Sequence, residues 1–328
     1  MIEEFLNRSV ASWYPGAICT ANEKRLSGGA SQETWSFEIL HPGGSFGAIL
    51  RRSPKGYGAA PTRAAGLAAE ARLMQLAHDA GLPSPKVMHV LTPEDDLGSG
   101  FIMARVEGET IARKILRDAK FARARPLLAR QLGKVAAGIH GLPRDQLPKL
   151  REMSSTREIA EMQREYRGFN WPRPVFELAL RWLAAHDPGP SAEVTLVHGD
   201  FRHGNLIIGP DGVRAVLDWE LAHLGDPMED LGWICVNSWR FGEIDKPVGG
   251  FGSREELFAG YEEAGRRVDP ASVKFWEVMG TLRWGVMCCG MMQRFRIGPD
   301  HSMERAMIGR RASETEIDLL RLLAPRGD

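Results

Sequence analysis

The chain changes character once. Up to about residue 104 apolar and polar residues alternate, and after Glu107-Gly108 apolar residues recur at helical spacing almost to the end. Trp35, Phe37 and Ile39 alternate with Ser36 and Glu38, which predicts a strand. A turn at His41-Pro42-Gly43-Gly44 and a second strand over Phe46 to Arg51 follow. Two more strands are predicted at Lys86 to Leu91 and Phe101 to Met103. One helix lies between the strand pairs, with Thr62 as its N-cap and Gly81 as its stop. Residues 121–141, 155–168, 173–186, 254–267, 271–296 and 302–323 read as helices. Only 194–218 interrupts them: Thr195 to Val197 is strand-like, and Leu206 to Ile208 and Val213 to Leu217 flank the turn Gly209-Pro210-Asp211-Gly212. The pattern predicts an α+β, bilobal chain. A small antiparallel-sheet lobe over 1–103 carries one helix, residues 104–107 form a hinge, and a larger helical lobe spans 108–328. A cleft lies between the lobes.

Composition narrows the partners. The 328 residues hold 42 Lys plus Arg and 42 Asp plus Glu, so there is no global basic field and no nucleic acid is expected. Hydrophobic residues are 43% and charged residues 26%, which excludes a disordered chain. No apolar run reaches the roughly 18 residues of a membrane span, so no membrane is expected. The start, MIEEFLNRSV, lacks a signal-peptide core. Cys19, Cys235, Cys288 and Cys289 form no C-x-x-C pair. A cytoplasmic protein is expected, and a homodimer is compatible with the sequence.

The chemistry concentrates in His198-Gly199-Asp200-Phe201-Arg202-His203-Gly204-Asn205, followed by Leu217-Asp218-Trp219. Transfer of phosphate to a hydroxyl needs a carboxylate that orients the hydroxyl and accepts its proton. It also needs oxygen ligands for Mg²⁺ on the nucleotide phosphates. Asn205 in a loop and Asp218 after a strand are oxygen donors that a hairpin brings to one ion. A different reading uses His198, Asp200, His203, Asp218 and His223 as ligands of zinc or iron in a metallohydrolase. It leaves Asn205 and the N-terminal lobe without a role.

These residues resemble the aminoglycoside phosphotransferase/choline kinase-like family, which has the protein-kinase-like fold. The resemblance implies an ATP-dependent small-molecule kinase, using ATP or another purine nucleoside triphosphate with Mg²⁺. Asp200 is then the catalytic base, Asn205 and Asp218 are the Mg²⁺ ligands, and His198 and Asp226 support them. Ser27, Gly28, Gly29, Ala30 and Ser31 precede the first strand, where small residues let backbone N–H groups approach phosphates. Met103, Ala104 and Val106 resemble the hinge that binds the adenine edge. The family's strand lysine is absent: the lobe's lysines are Lys24, Lys55 and Lys86, and Arg51 stands at the position. An arginine there, followed by Pro54, looks like the branch associated with acyl-CoA dehydrogenases. On the helix, Leu67, Leu73, Met74 and Ala77 form an apolar arc with Glu70 at its centre. A carboxylate there needs a partner, and Arg51 supplies one.

The acceptor is expected to be a small molecule bearing a hydroxyl, such as a hydroxy acid or hydroxyacyl thioester. Trp239, Arg283 and Arg294 are the candidate acceptor residues. An aminoglycoside is disfavoured, because Glu255-Glu256 and Glu262-Glu263 sit among Arg254, Arg266 and Arg267 rather than in an acidic patch. The missing lysine leaves a non-catalytic nucleotide-binding module as the alternative.

Overall fold

Residues 2–26, 32–53, 63–298 and 301–324 are described by the computed structural model. The chain opens with helix α1 (Ile2–Trp13), where the sequence reading has only strands; its buried Ile2, Phe5, Leu6 and Val10 share one face. Then come β1 (Cys19–Leu26), β2 (Glu33–His41), β3 (Gly44–Ser53), α2 (Leu67–Asp79), β4 (Val87–Val90) and β5 (Ser99–Ala104). The five strands form one antiparallel sheet in the order β1-β2-β3-β5-β4. Helix α2 starts later than its sequence suggests. Gly66, at φ 89°, holds the N-cap position without a side-chain bond, and its carbonyl accepts from Glu70 N–H. Thr62 lies outside the described residues.

The second lobe contains α3 (Ala112–Arg117), α4 (Arg125–His140), α5 (Ser155–Gly168), α6 (Pro174–Ala185), β6 (Thr195–Val197), β7 (Leu206–Gly209), β8 (Gly212–Val216) and β9 (His223–Gly225). It ends with α7 (Met228–Cys235), α8 (Arg254–Glu263), α9 (Pro270–Ile297), α10 (Met303–Gly309) and α11 (Ala312–Leu323). The predicted helix over 302–323 is therefore two helices, parted at Arg310–Arg311. Strand β7 pairs with β8, and β6 with β9.

The two faces of the N-terminal sheet have different partners. Phe37, Ile39, Ala48, Leu50 and Ile102 pack with Phe5, Leu6 and Val10 of α1. Each large apolar side chain buried there contributes about 1.5–3 kcal/mol. Side chains alternate along a strand, so Arg51, next to Leu50, faces the opposite side, towards α2 and the cleft. Few backbone bonds join the lobes among the described residues: Val216 N–H donates to the Pro83 carbonyl, and Ala65 N–H to the Glu220 carbonyl, while Glu109, just past the hinge segment, pairs with Ile208 inside the second lobe.

Candidate active site

Strand β6 ends at Val197 and delivers His198, Gly199 and Asp200 to the cleft. Gly199 has φ 79°, and a Cβ on it would lie 2.6 Å from the Leu221 carbonyl oxygen, so only glycine fits. Asp230, on α7, is buried and accepts from His198 N–H at 2.8 Å, Gly199 N–H at 2.9 Å and His140 Nε2 at 3.0 Å. Burial alone would raise its carboxyl, but these donors hold it below the ordinary carboxylate range. His198 is fully buried, and burial lowers its pKa. Its Nε2 faces the Leu217 carbonyl at 3.1 Å and its Nδ1 faces Asp200 N–H at 3.3 Å. Those partners assign the neutral, Nε2-protonated tautomer.

Leu217 ties the pieces together. Its carbonyl accepts from His198, and its N–H donates to the Asn205 carbonyl at 2.8 Å. Asp218 is the next residue, so one backbone bond brings Asn205 and Asp218 alongside each other. The Asn205 amide donates to Asp200 Oδ2 at 2.7 Å and to the Asp200 carbonyl at 2.9 Å. Its own Oδ1 is thereby turned away from Asp200. Asp200 Oδ1 accepts from Trp233 Nε1 at 2.8 Å and Arg202 Nε at 2.9 Å. Asp200, Asn205 and Asp218 thus form one group. Asp218 is itself left-handed, at φ 64° and ψ 65°, a conformation costing about 1 kcal/mol outside glycine.

Arg51 reaches this group from β3. Its Nη1 lies 3.2 Å from Glu70 Oε1, its Nη2 2.7 Å from Asp218 Oδ1 and 3.5 Å from Glu220 Oε2, and its Nε 2.8 Å from Gln32 Oε1. Burial works against the Arg51 charge, yet Glu70 and Asp218 hold its pKa above the ordinary value. Glu70 is 1% exposed, and neither carboxyl oxygen has a well-aligned hydrogen-bond donor among the described residues. Burial pushes its pKa up to about 8 despite Arg51. One guanidinium faces three carboxyl groups here, those of Asp218, Glu220 and the protonation-prone Glu70. The surplus of negative charge and oxygen ligands suits a hard divalent cation, with Asp218 and Asn205 Oδ1 as the side chains to hold it.

The remaining predicted residues are distributed unevenly. Ser27, Gly28, Gly29, Ala30 and Ser31 lie outside the described residues. At the hinge, Ala104 N–H donates to the Lys86 carbonyl and Arg105 N–H to the Gly47 carbonyl, both at 2.9 Å. Met103 pairs with Ile49 inside the sheet. Val106 N–H makes no backbone bond among the described residues. Asp226 makes its side-chain hydrogen bonds away from the 198–205 loop: it accepts from Met228 N–H, Ser272 Oγ and Trp276 Nε1, fastening α7 to α9.

The acceptor candidates need correction. Arg283 is buried under the loop that carries Asp200, paired to Glu229 at 2.8 Å and donating to the Gly199 carbonyl at 3.2 Å. That leaves it a structural role rather than a face for substrate. Arg294 is exposed, eleven residues further along α9, about 16 Å at 1.5 Å per residue. Trp239 does belong to the neighbourhood, with its ring 5.2 Å from that of Trp233 and beneath the Arg202 guanidinium at 4.8 Å.

The sequence reading missed the donors Trp233 and Arg202, and gave Asp230 no specific task. Arg202 stands two residues from Asp200, a signal that was present in the sequence. The metallohydrolase constellation does not assemble. His203 Nδ1 donates to the Trp239 carbonyl and His223 pairs with Glu229, and among the described residues no three His, Cys, Asp or Glu side chains are grouped so as to hold zinc or iron.

Comparison with known proteins agrees with this geometry. The sequence pattern of the phosphotransferase enzyme family matches residues 22–270. Acyl-CoA dehydrogenase family member 10 of Mus musculus is 29% identical over 195 residues, covering 57% of this chain and 18% of that protein. Family member 11 of Pongo abelii is 23% identical over 318 residues, covering 92% of this chain and 40% of that protein. The chain therefore spans well under half the length of these relatives. A choline/ethanolamine kinase family protein from Mesorhizobium loti has the same fold, with a TM-score of 0.64 at 18% identity over 99% of this chain and 96% of that one. An aminoglycoside phosphotransferase crystallised with AMP-PNP and hygromycin B gives 0.65 at 17% identity, over 99% of each chain. Pattern and fold agree: the chain belongs to the phosphotransferase enzyme family, with the bilobal kinase-like fold of its aminoglycoside and choline kinase relatives.

Proposed function

We propose that this chain transfers the γ-phosphate of ATP to the hydroxyl of a small molecule, with Mg²⁺ held by Asn205 and Asp218. The observation that carries the reading is the convergence of Asp200, Asn205 and Asp218 through the two bonds to Leu217. Asp200 Oδ1 already has two donors and Oδ2 only one. Oδ2 is therefore the oxygen for the acceptor hydroxyl. It aligns the attacking oxygen and takes its proton as the new oxygen–phosphorus bond forms and the bond to the leaving ADP oxygen breaks. Arg51 would hold phosphate through its fork of donors, and Glu70 would keep that fork in place. Mg²⁺, when bound, neutralises charge on the phosphate oxygens. The hinge edge at Ala104 and Val106 would take the purine. The relatives' names, acyl-CoA dehydrogenase family members, support a hydroxy acid or hydroxyacyl thioester as acceptor.

One observation favours a second reading, a nucleotide-binding module without turnover: Arg51 Nη2 sits on Asp218 at 2.7 Å, on a proposed metal ligand. A screen of hydroxy acids, their thioesters, amino alcohols and sugars with labelled ATP and Mg²⁺ separates the two. Transfer by the native chain, lost about 10³-fold or more in Asp200→Asn with nucleotide affinity kept, is the expected result. Nucleotide binding with no transfer to any acceptor class would leave the second reading standing.

A further inference from the structure

A cluster of guanidinium groups gathers where Arg63, two residues before Ala65, meets the second lobe. A cavity of about 340 Å³ there is lined by Arg63, Arg151, Arg157 and Arg164, against Glu161 and Glu165. Part of the charge is compensated. Arg63 pairs with Glu158 at 3.1 Å and Glu161 at 2.9 Å, and Arg157 pairs with Glu161 at 3.0 Å. Arg164 is in no ion pair among the described residues. Arg151 has only a marginal contact, Nη2 to His223 Nδ1 at 3.5 Å, and its Nε and Nη1 are shut from solvent without an acceptor. A guanidinium in that state is costly unless an anion lies nearby. Burial lowers the Arg151 pKa, with Arg63 and Arg283 adding to it, and the charges of Glu229 and Glu158 offset this only in part.

We propose that this cavity is a binding site for a phosphate-class anion, distinct from the nucleotide phosphates at Arg51. Four guanidinium groups around one space exceed what the two oxygens of a carboxylate can use. A phosphate or diphosphate group, with more oxygens and up to two or more charges, matches them. The site is also linked to the catalytic loop. Arg151 touches His223, His223 pairs with Glu229 at 3.0 Å, Glu229 with Arg283 at 2.8 Å, and Arg283 donates to the Gly199 carbonyl beside Asp200.

The test is calorimetric titration of the full chain with inorganic pyrophosphate in metal-free buffer. Arg164 is exposed, so Arg164→Glu should fold; it is expected to weaken pyrophosphate binding about tenfold or more. Arg51→Ala should retain the binding, and Arg181→Glu, an equal charge change on α6 outside the cavity, should leave it unchanged. Binding that vanishes in Arg51→Ala and persists in Arg164→Glu, or no saturable binding at all, overturns the proposal. A second measurement locates the source of the anion and rests on the phosphotransferase reading. Pyrophosphate competing with the acceptor in transfer assays makes the anion the acceptor's own tail. A changed kcat without competition makes it a separate ion, and either result keeps the site. The titration needs no turnover, so its failure is distinct from failure of the transfer activity.

Discussion

At the scale of single residues, the carboxyls of the cleft carry the sharpest expectations. Glu70 titrates near 8 in the folded chain against an ordinary value near 4.5. Below pH 4.5 it is protonated in both states and contributes nothing to pH dependence. Between 4.5 and 8 the unfolded chain loses this proton and the folded chain keeps it, so stability falls as pH rises through that window. Glu70→Gln removes the effect. Its melting temperature without ligand, relative to the native chain, should rise by a few degrees from pH 5 to pH 8.5; an offset equal at both pH values would refute the buried-proton account. Trp233 offers a second case. It is 3% exposed and donates to Asp200 Oδ1. Trp233→Phe keeps an aromatic ring and deletes the donor, which acts through Asp200, the proposed base, rather than on substrate. A fall of about tenfold in kcat with KM for ATP unchanged is expected. A raised KM with kcat intact would mean that Trp233 only packs.

At the scale of elements, what was legible followed period and length. The apolar arc of α2 placed Glu70 inward, and strand alternation placed Arg51 opposite Leu50; together they bring the pair to 3.2 Å. Helix α5 was readable because 14 residues span several turns, whereas α3 and α7, with six and eight, do not repeat often enough to show a period. Helix α1 was passed over although Ile2, Phe5, Leu6 and Val10 stand at helical spacing, with Asn7 and Arg8 exposed on the opposite face. The break at Arg310–Arg311 was marked in the sequence by Gly309, the last residue of α10, and the reading ran past it. Arg283 was misjudged because its partners Glu229 and Glu158 come from distant segments, 54 and 125 residues away in the chain. Helix crossings were equally hidden. Gly133 of α4 leaves no room for a methyl group, which would meet the Leu257 carbonyl of α8. Both atoms are backbone, so relief requires the helices to part. Gly133→Ala should lower stability by about 1–3 kcal/mol by overpacking, read as a shift in the denaturant midpoint with an unchanged slope. No shift would show that α4 and α8 slide past each other freely.

At the scale of the molecule, the two lobes meet through few bonds among the described residues, and the charged ones come from two arginines: Arg51 on β3, to Asp218 and Glu220, and Arg63, to Glu158 and Glu161. A nucleotide lying between hinge and metal ligands would add its own bridge along the same line. Ligand that binds only the folded chain stabilises it by about 2.7 kcal/mol at a concentration 100 times Kd. Arg51→Met removes the phosphate-facing cation while keeping an unbranched apolar stem for the packing beside Gln32. A tenfold weaker Kd then leaves about 1.4 kcal/mol less of that stabilisation at the same ligand concentration. The measurement is the rise in melting temperature caused by AMP-PNP with Mg²⁺. In Arg51→Met the rise should be roughly halved, even where the unliganded variant melts lower than the native chain. An undiminished rise would mean that the nucleotide phosphates lie elsewhere than at Arg51, and that this arginine serves the lobe contact alone.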